Sequence, residues 1–541
     1  MRKGFTLLAS VAFCTLLLPA IVFGQGNSQG NGSQVIHPDH FDKTARPLRE
    51  MFDRGDKPGP ARGGRDFEPG RPEPVGNTNP GGVDPLVERN NVAFSTYAQP
   101  KAATTGVPVD PSFRVAPPDT TGDLGPNHYI QWVNSRYTIY TLSRDAVTNQ
   151  ITGFNLVPGF PKNGNTLFQG FGGRCESDND GDPIVQYDQF ADRWILTQFA
   201  VTSTPYTQCV AVSTSPDPTG TYYRYSYSFS RDFNDFPKMG VWSDGYYITY
   251  NMFRASGAFK GANVCAFERD KMLVGAAARQ VCVLTTAAHS IEPADIEGKT
   301  LPPAGSAAPL LSISTTALQA WRYKVNWATG TATLTGPTAV AGAATFSRAC
   351  GGGTCIPQPG TTQQLDSLGD RLNYRLSYRN FGTRESMVIN HPVATGGTSG
   401  IRWYELRNAT GQTMGSAAPV VFQQGTYSPD ATHRWMGSAA MDKAGGIAIG
   451  YNVSSASVVP SIRYAYRAAG DPAGALGNET NILVGGGSQS GNSLARWGDY
   501  STLSVDPVDG CTMVFTTEYL PATGNYNWTT HISSFKLSTC Q

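Results

Sequence analysis

The sequence predicts an all-β chain built from repeated sheets, on three observations. Strand-like runs bounded by Gly, Pro, Asp and Asn recur from about residue 113 to the end, with no long stretch of helical periodicity. The 60 Gly, 24 Tyr and 25 Phe read as many short strands joined by tight turns. The third observation is an internal repeat of an entering strand, an Asp/Gly turn and an apolar returning strand.

The repeat justifies the elements in order. One unit enters at 181–188 (GDPIVQYD), turns through 189–192 and returns as 193–197 (RWILT). Another enters at 238–242 (KMGVW), turns at Ser243-Asp244-Gly245 and returns as 246–250 (YYITY). A third enters at 435–442 (WMGSAAMD), turns at Lys443-Ala444-Gly445 and returns through Tyr451. A fourth runs from Gly498 to Asp506, turns through Pro507 to Gly510 and returns from Cys511 to Phe515. Weaker copies begin near Gly125 and Gly369, and the stretch 307–345 is the hardest to place. Units recur roughly every 50 to 70 residues, the period of a four-stranded blade. The predicted fold is therefore a β-propeller of about seven four-stranded blades, with six as the alternative.

The first residues predict export. Arg2 and Lys3 precede the apolar stretch 5–23, polar Gly-rich sequence follows from Gly24, and cleavage is expected between residues 22 and 26. Residues 1–24 are read as a signal peptide, 25–90 as a disordered Gly/Pro/Asn-rich linker or pro-segment, and 91–541 as the propeller. No membrane insertion is expected after signal removal, and the expected location is secreted, extracellular or periplasmic. Of 9 Cys, Cys14 leaves with the signal, and the remaining 8 fit an exported disulfide protein. Spacing pairs Cys350 with Cys355, Cys265 with Cys282 and Cys511 with Cys540, leaving Cys175 with Cys209.

A net charge of +1, with 15% charged residues and no basic stripe, excludes nucleic acid and electrostatic membrane docking as partners. HExxH and GxSxG are absent. Gly298-Lys299-Thr300 resembles the end of a phosphate loop, but Pro293 stands where its first Gly is required. No organic cofactor is expected.

The segments DTTGDLGPNHY (119–129), DGDPIV (180–185), DSLGDRL (366–372) and RWGDYS (496–501) resemble those of a family of secreted bacterial β-propeller-like proteins. The resemblance runs from about residue 110 to the end and implies export and fold without an activity. DPVDGCT (506–512) loosely resembles the Asp-boxes (BNR repeats) of sialidase-like propellers, without their closing aromatic.

Candidate site residues follow from position. Entering strands line the channel of a propeller, so their first residues gather at one mouth: Asp123, Asp182, Lys238, Asp370, Arg371, Arg434, Arg496 and Asp499. Asp182, Asp370 and Asp499 are the catalytic candidates, as acid and base or nucleophile for glycoside cleavage. Lys238, Arg371, Arg434 and Arg496 are the substrate-binding candidates, since Arg binds carboxylate-bearing sugars bidentately. Trp435 and Trp497 are expected exposed, to stack on sugar rings. For any single Asp, capping a turn or joining a salt bridge is the commoner use. Asp178, Asp180 and Asp182 alternate as in a calcium loop, making Ca²⁺ the candidate metal against a solvated acidic turn. Adjacent Glu518 and Tyr519 are weaker candidates, because neighbours on a strand face opposite ways, and so are His128 and His391 as proton-transfer groups, because a satisfied structural His is the commoner case.

The expected function is a secreted propeller acting on or binding extracellular carbohydrate, as a glycoside hydrolase, a polysaccharide lyase or a binding protein. The alternative is a non-catalytic adhesion or protein-interaction propeller. The expected partner is an extracellular glycan or surface protein, and the expected state a monomer. Carboxylates buried and paired to Arg would argue against catalysis.

Overall fold

The computed structural model of the protein describes residue 1 and residues 32–53, 82–88, 93–94, 98–108, 116–491 and 494–541. The expected signal segment lies outside the described residues, apart from Met1. Nearly all regular structure is β, in antiparallel units of four strands. Their innermost strands are β1 (Thr120–Leu124), β2 (Ile184–Asp188), β3 (Phe233–Val241), β4 (Glu292–Glu297), β5 (Asn373–Asn380), β6 (His433–Met441) and β7 (Thr502–Val505). Each except β7 leads into three further strands of its own unit, outward in chain order. β1 touches β2, β2 touches β3, and so on to β7, which touches β1 again. The innermost strands therefore close a ring. β4 and β5 come close enough to pair directly, in parallel, from Ala294 with Leu376 to Glu297 with Arg379.

The strands are apolar throughout because each unit is covered on both faces. Every residue of β6 is buried, as is every residue of the following strand Ile447–Ser454. Units approach closely where glycine allows it. A Cβ on Gly240 of β3 would lie 2.3 Å from the Ala294 carbonyl of β4, and one on Gly450 would lie 2.5 Å from the Phe515 ring. Aspartates end several innermost strands and fold the turn. Asp188 Oδ1 accepts from the Phe190 and Ala191 amides, Asp442 Oδ1 from Ala444 and Gly446, and Asp506 Oδ1 from Val508. Such Asx bonding makes Asp a hairpin residue.

The hard-to-place stretch forms three strands, Ala308–Ile313, Leu318–Asn326 and Thr331–Ala339, outside β4. All four expected disulfides are present. The last unit takes its fourth strand from far upstream: Ala98–Pro108 pairs antiparallel with Thr529–Leu537.

One expectation needs correction. Described parts of 25–90, expected without structure, are ordered. Ser33–Ile36 pairs with Gln280–Thr285 in the β3 unit, and His40–Lys43 pairs with Tyr222–Ser228 in the β2 unit. Val87–Glu88 pairs with Val420–Tyr427 in the β5 unit. A segment poor in apolar residues builds no core of its own. It can still satisfy its backbone on exposed sheet edges. A few anchors hold it: Leu48 and Met51 are buried, Asp42 makes a bidentate pair with Arg224 at 2.6 and 2.8 Å, and Asp84 is buried against Arg402.

Candidate functional site at the two ends of the ring

The ring axis has two ends. The leading end is where β1–β7 begin, and the trailing end is where they finish. The sequence places its candidates at the leading end, and several do meet there.

Lys238 is fully buried, with its ammonium 3.1 Å from the Phe236 ring centroid and 3.7 Å from that of Tyr500. Burial pulls its pKa down to about 8, against the pull of Glu292, Asp499 and Asp182. Asp370 is buried and held bidentately by Arg371 at 2.8 and 3.0 Å. Asp499 is paired to Arg496, and its amide donates to Asp119 Oδ1 at 2.9 Å. Burial alone would raise Asp499, but Arg496 and Arg371 outweigh it and hold the group below its ordinary value. Burial, Asp499 and Asp182 together push Asp119 up. Asp182 accepts from the Phe236 amide at 3.2 Å and the Tyr500 hydroxyl at 3.3 Å.

Asp119 and Asp182 link neighbouring segments of the ring, whereas Asp370 and Asp499 pair with arginines close by in the chain. Trp435 and Trp497, expected exposed, are buried and meet edge to face at 5.8 Å. Phe236, Met436, Leu368, Ile356, Leu365 and Leu520 pack with them. Two large indoles remove more apolar area from water against each other than they could by lying on a wet surface. The strands Thr354–Ile356 and Leu365–Asp366, which contribute part of this cluster, belong to the loop between the β4 and β5 units, pinned locally by Cys350–Cys355. The loop binds across to the β7 side, with the Asp366 amide donating to the Ala495 carbonyl at 2.8 Å. Among the described residues, the leading end is thus filled by packed side chains.

Arg434 does not join this group. It is buried and clamped bidentately by Asp430 and Glu479, at 2.8 to 3.1 Å. The three loop aspartates address separate donors. Asp178 pairs with Arg174 at 2.6 Å, Asp180 accepts from the Val201 and Thr202 amides, and Asp182 faces Phe236 and Tyr500. Among the described residues, no group of three or more His, Cys, Asp or Glu is placed to hold a metal ion. His391 is buried against Tyr404, and burial lowers its pKa. His128 is half-buried and its pKa is likewise lowered by burial. Glu518 is buried and raised by that burial, whereas Tyr519 is partly exposed.

Glu292, the first residue of β4, is missing from the sequence candidates. It is fully buried, and neither carboxylate oxygen has a hydrogen-bond partner among the described residues. Burial raises it to about 8, although Lys238 and Arg371 pull the other way. Its strand, EPADIE, carries three acids in six residues and does not read as an innermost strand.

The trailing end is different. Arg375 of β5 is buried among Asp123 of β1 at 3.2 Å, Asp295 of β4 at 3.0 Å, and Glu297 of β4. Asp123 therefore lies here and not at the leading end. Burial raises Asp295 to about 7, partly offset by Arg375. Beside this cluster opens a cavity of about 330 Å³, lined by the last residues of β4, β5 and β7 and by residues that follow β4, β5, β6 and β7. Its walls include Lys299, Thr300, Arg379, Phe381, Lys443 and Val508. Lys299 reaches from the β4 side to the Val508 carbonyl on the β7 side at 3.5 Å, so the cavity bridges units that are not neighbours in the ring.

Three carboxylates also line it, and each is engaged. Glu297 pairs with Arg375. Asp506 is held bidentately by Arg144 at 2.5 and 3.0 Å. Asp509 accepts from the Cys511 and Thr512 amides and the Thr512 hydroxyl, each at 2.8 Å. The sequence did contain a signal for this cavity: Gly298-Lys299-Thr300 drew notice only as a failed phosphate loop.

No protein-family model and no curated protein matches the chain. Among solved structures it is similar to an endo-arabinase from Bacteroides thetaiotaomicron, at 11% identity and TM-score 0.28, covering 66% of this chain and 93% of that one. It is also similar to an ulvan lyase of a new polysaccharide lyase family, at 12% identity and TM-score 0.34, covering 78% and 93%. A third is an α-L-arabinofuranosidase from Podospora anserina, at 10% identity and TM-score 0.26, covering 66% and 90%. Scores this low leave fold and activity to be argued from the chain's own geometry.

Proposed function

We propose that the chain is an exported seven-bladed β-propeller that binds extracellular carbohydrate at its trailing end without cleaving it. The closed cycle of contacts from β1 to β7 and back supports the blade count. Four disulfides fit an oxidising compartment. The observation that carries the binding reading is the contrast between the two ends. One is filled by Trp435, Trp497 and their neighbours, and the other opens a 330 Å³ cavity of mixed polarity. Phe381 gives that cavity an aromatic wall for a sugar face, and Thr300, Lys299 and Lys443 offer hydrogen bonds to hydroxyls. Hydrolysis needs one carboxyl free to give a proton and another free to attack or to activate water. Here Glu297, Asp506 and Asp509 are each held by other groups.

The test is a panel of immobilised polysaccharides probed with the mature protein, alongside an assay for new reducing ends and unsaturated products. Retention on at least one glycan, weakened by Phe381→Ala and without product, is expected. Retention on none removes the binding reading. Steady product release removes the non-catalytic part.

A further inference from the structure

We infer that the trailing-end cavity selects an anionic saccharide, taking a carboxylate or sulfate group between Arg379, Lys299 and Lys443. The inference rests on the glycan-binding reading and names the ligand's charge.

Arg379 is the central observation. It is the seventh residue of β5 and only 5% exposed, yet it lines the cavity. Its Nε donates to the Met441 carbonyl at 3.0 Å, which fixes the side chain. Its Nη2 has no hydrogen-bond partner among the described residues. Burial therefore depresses its pKa, even with Glu297 and Asp442 nearby. Buried guanidinium nitrogens without an acceptor are costly, and an oxyanion is the group that satisfies them most strongly. Gly298 makes the arrangement possible. Its φ is +86°, and a Cβ there would lie 2.3 Å from Arg379 Nη1.

Two exposed ammonium groups share the cavity. Lys299 makes only the long contact to the Val508 carbonyl, and Lys443 has no carboxylate partner among the described residues. The lining acids do not cancel them fully, since Asp506 faces Arg144, Asp509 faces backbone amides and Lys536, and Glu297 faces Arg375. An anion entering the cavity would meet one fixed, half-satisfied guanidinium and two mobile cations. A neutral sugar would offer these three cations hydroxyl oxygens but no charge to balance them.

The experiment is calorimetric titration of the mature protein with oligosaccharides of matched length from polygalacturonate, dextran sulfate and neutral dextran. Binding of at least one anionic probe is expected about tenfold or more tighter than of dextran, weakening as salt rises. Arg379→Gln should cost about tenfold in affinity for that probe. Lys299→Ala/Lys443→Ala, which touches only exposed side chains, should cost roughly fivefold, so the test stands even if the Arg379 variant folds poorly. Preference for the polygalacturonate or the dextran sulfate arm tells carboxylate from sulfate, and either supports the inference. Anion binding that neither variant weakens overturns it. Equal binding of dextran and the anionic probes, lost in Phe381→Ala, overturns it while leaving the glycan reading intact. Binding of no probe here, with no glycan retained in the wider panel, overturns both.

Discussion

Arg375 of β5 reaches Asp123 of β1 at 3.2 Å, joining two strands that are not neighbours in the ring. With Asp295 and Glu297 also on this guanidinium, one cation serves three carboxylates in the interior. Removing it leaves the acids facing one another without water. Arg375→Met should destabilise the protein by about 3–5 kcal/mol, the usual cost of breaking a buried ion cluster from one side. Urea denaturation checks this, and a loss under about 1 kcal/mol would mean the acids are satisfied by other means.

The interior acid Glu292 gives stability a pH dependence of definite sign. Its pKa rises from 4.5 to about 8 on folding, so the folded chain holds that proton more tightly than the unfolded chain. The contribution is complete below the unfolded value and is lost as pH rises through about 8. Lys238 is depressed from 10.5 to about 8, so its contribution is complete above 10.5 and lost as pH falls through about 8. His289 and His433, lowered from 6.5 to about 4, add stability above 6.5 that is lost toward 4. Comparing wild type with Glu292→Gln removes the carboxyl together with its pull on Lys238. The wild type should lose about 2–5 kcal/mol relative to the variant between about pH 5 and pH 8. Parallel curves would show that Glu292 does not titrate there.

The two ends of the ring should separate under mutation. Trp435→Ala opens a cavity in the filled end and should cost about 3–5 kcal/mol of stability. Glycan affinity, measured well below the lowered melting temperature, should be unchanged. Phe381→Ala, at a half-buried ring, should cost less stability than Trp435→Ala and bring a clear loss of retention. If Trp435→Phe, the milder change, abolishes binding, the ligand sits at the leading end.

Loop length ranks the disulfides. Cys175–Cys209 closes 34 residues and Cys350–Cys355 only 5. Chain entropy assigns the first about 4 kcal/mol and the second about 2. Double Ala variants of each pair, compared by thermal unfolding, should show the larger drop for the first. The Cys350–Cys355 variant has a further readout, because its loop helps fill the leading end: tryptophan fluorescence there should redden.

Much of the fold was legible because the repeat carries it. An Asp or Gly turn between apolar runs is a local signal, as at 443–445 and 507–510, and local signals survive reading without coordinates. Three cysteine pairs were legible from their spacing, and Cys175–Cys209 followed as the remaining pair. β4 was hidden because its three acids point into a polar interior, where Arg375 balances Asp295 and Glu297. The site was harder. Sequence order brought Asp182, Lys238, Asp370 and Asp499 to one end, but burial depends on what covers them. The cover comes from a distant loop and from indoles that local sequence leaves looking free. The cavity needed the segments after four separate strands to come together, and the repeated turns at 443–445 and 507–510 carry no sign of which others they meet.

The fourth strand of the last unit, Ala98–Pro108, sets the order in which this protein can mature. Thr104 sits opposite Ile532 in its ladder. A ribosome or translocation pore releases the upstream partner long before the downstream one exists. Until then that strand has no edge to join, and the circle stays open with β1 and β7 unjoined. Closure is a late event that depends on the longest-range strand pairing among the described residues, and such contacts form slowly. Once made, it works as a clasp. Neither terminal unit can peel away without first releasing a strand from the far side of the chain.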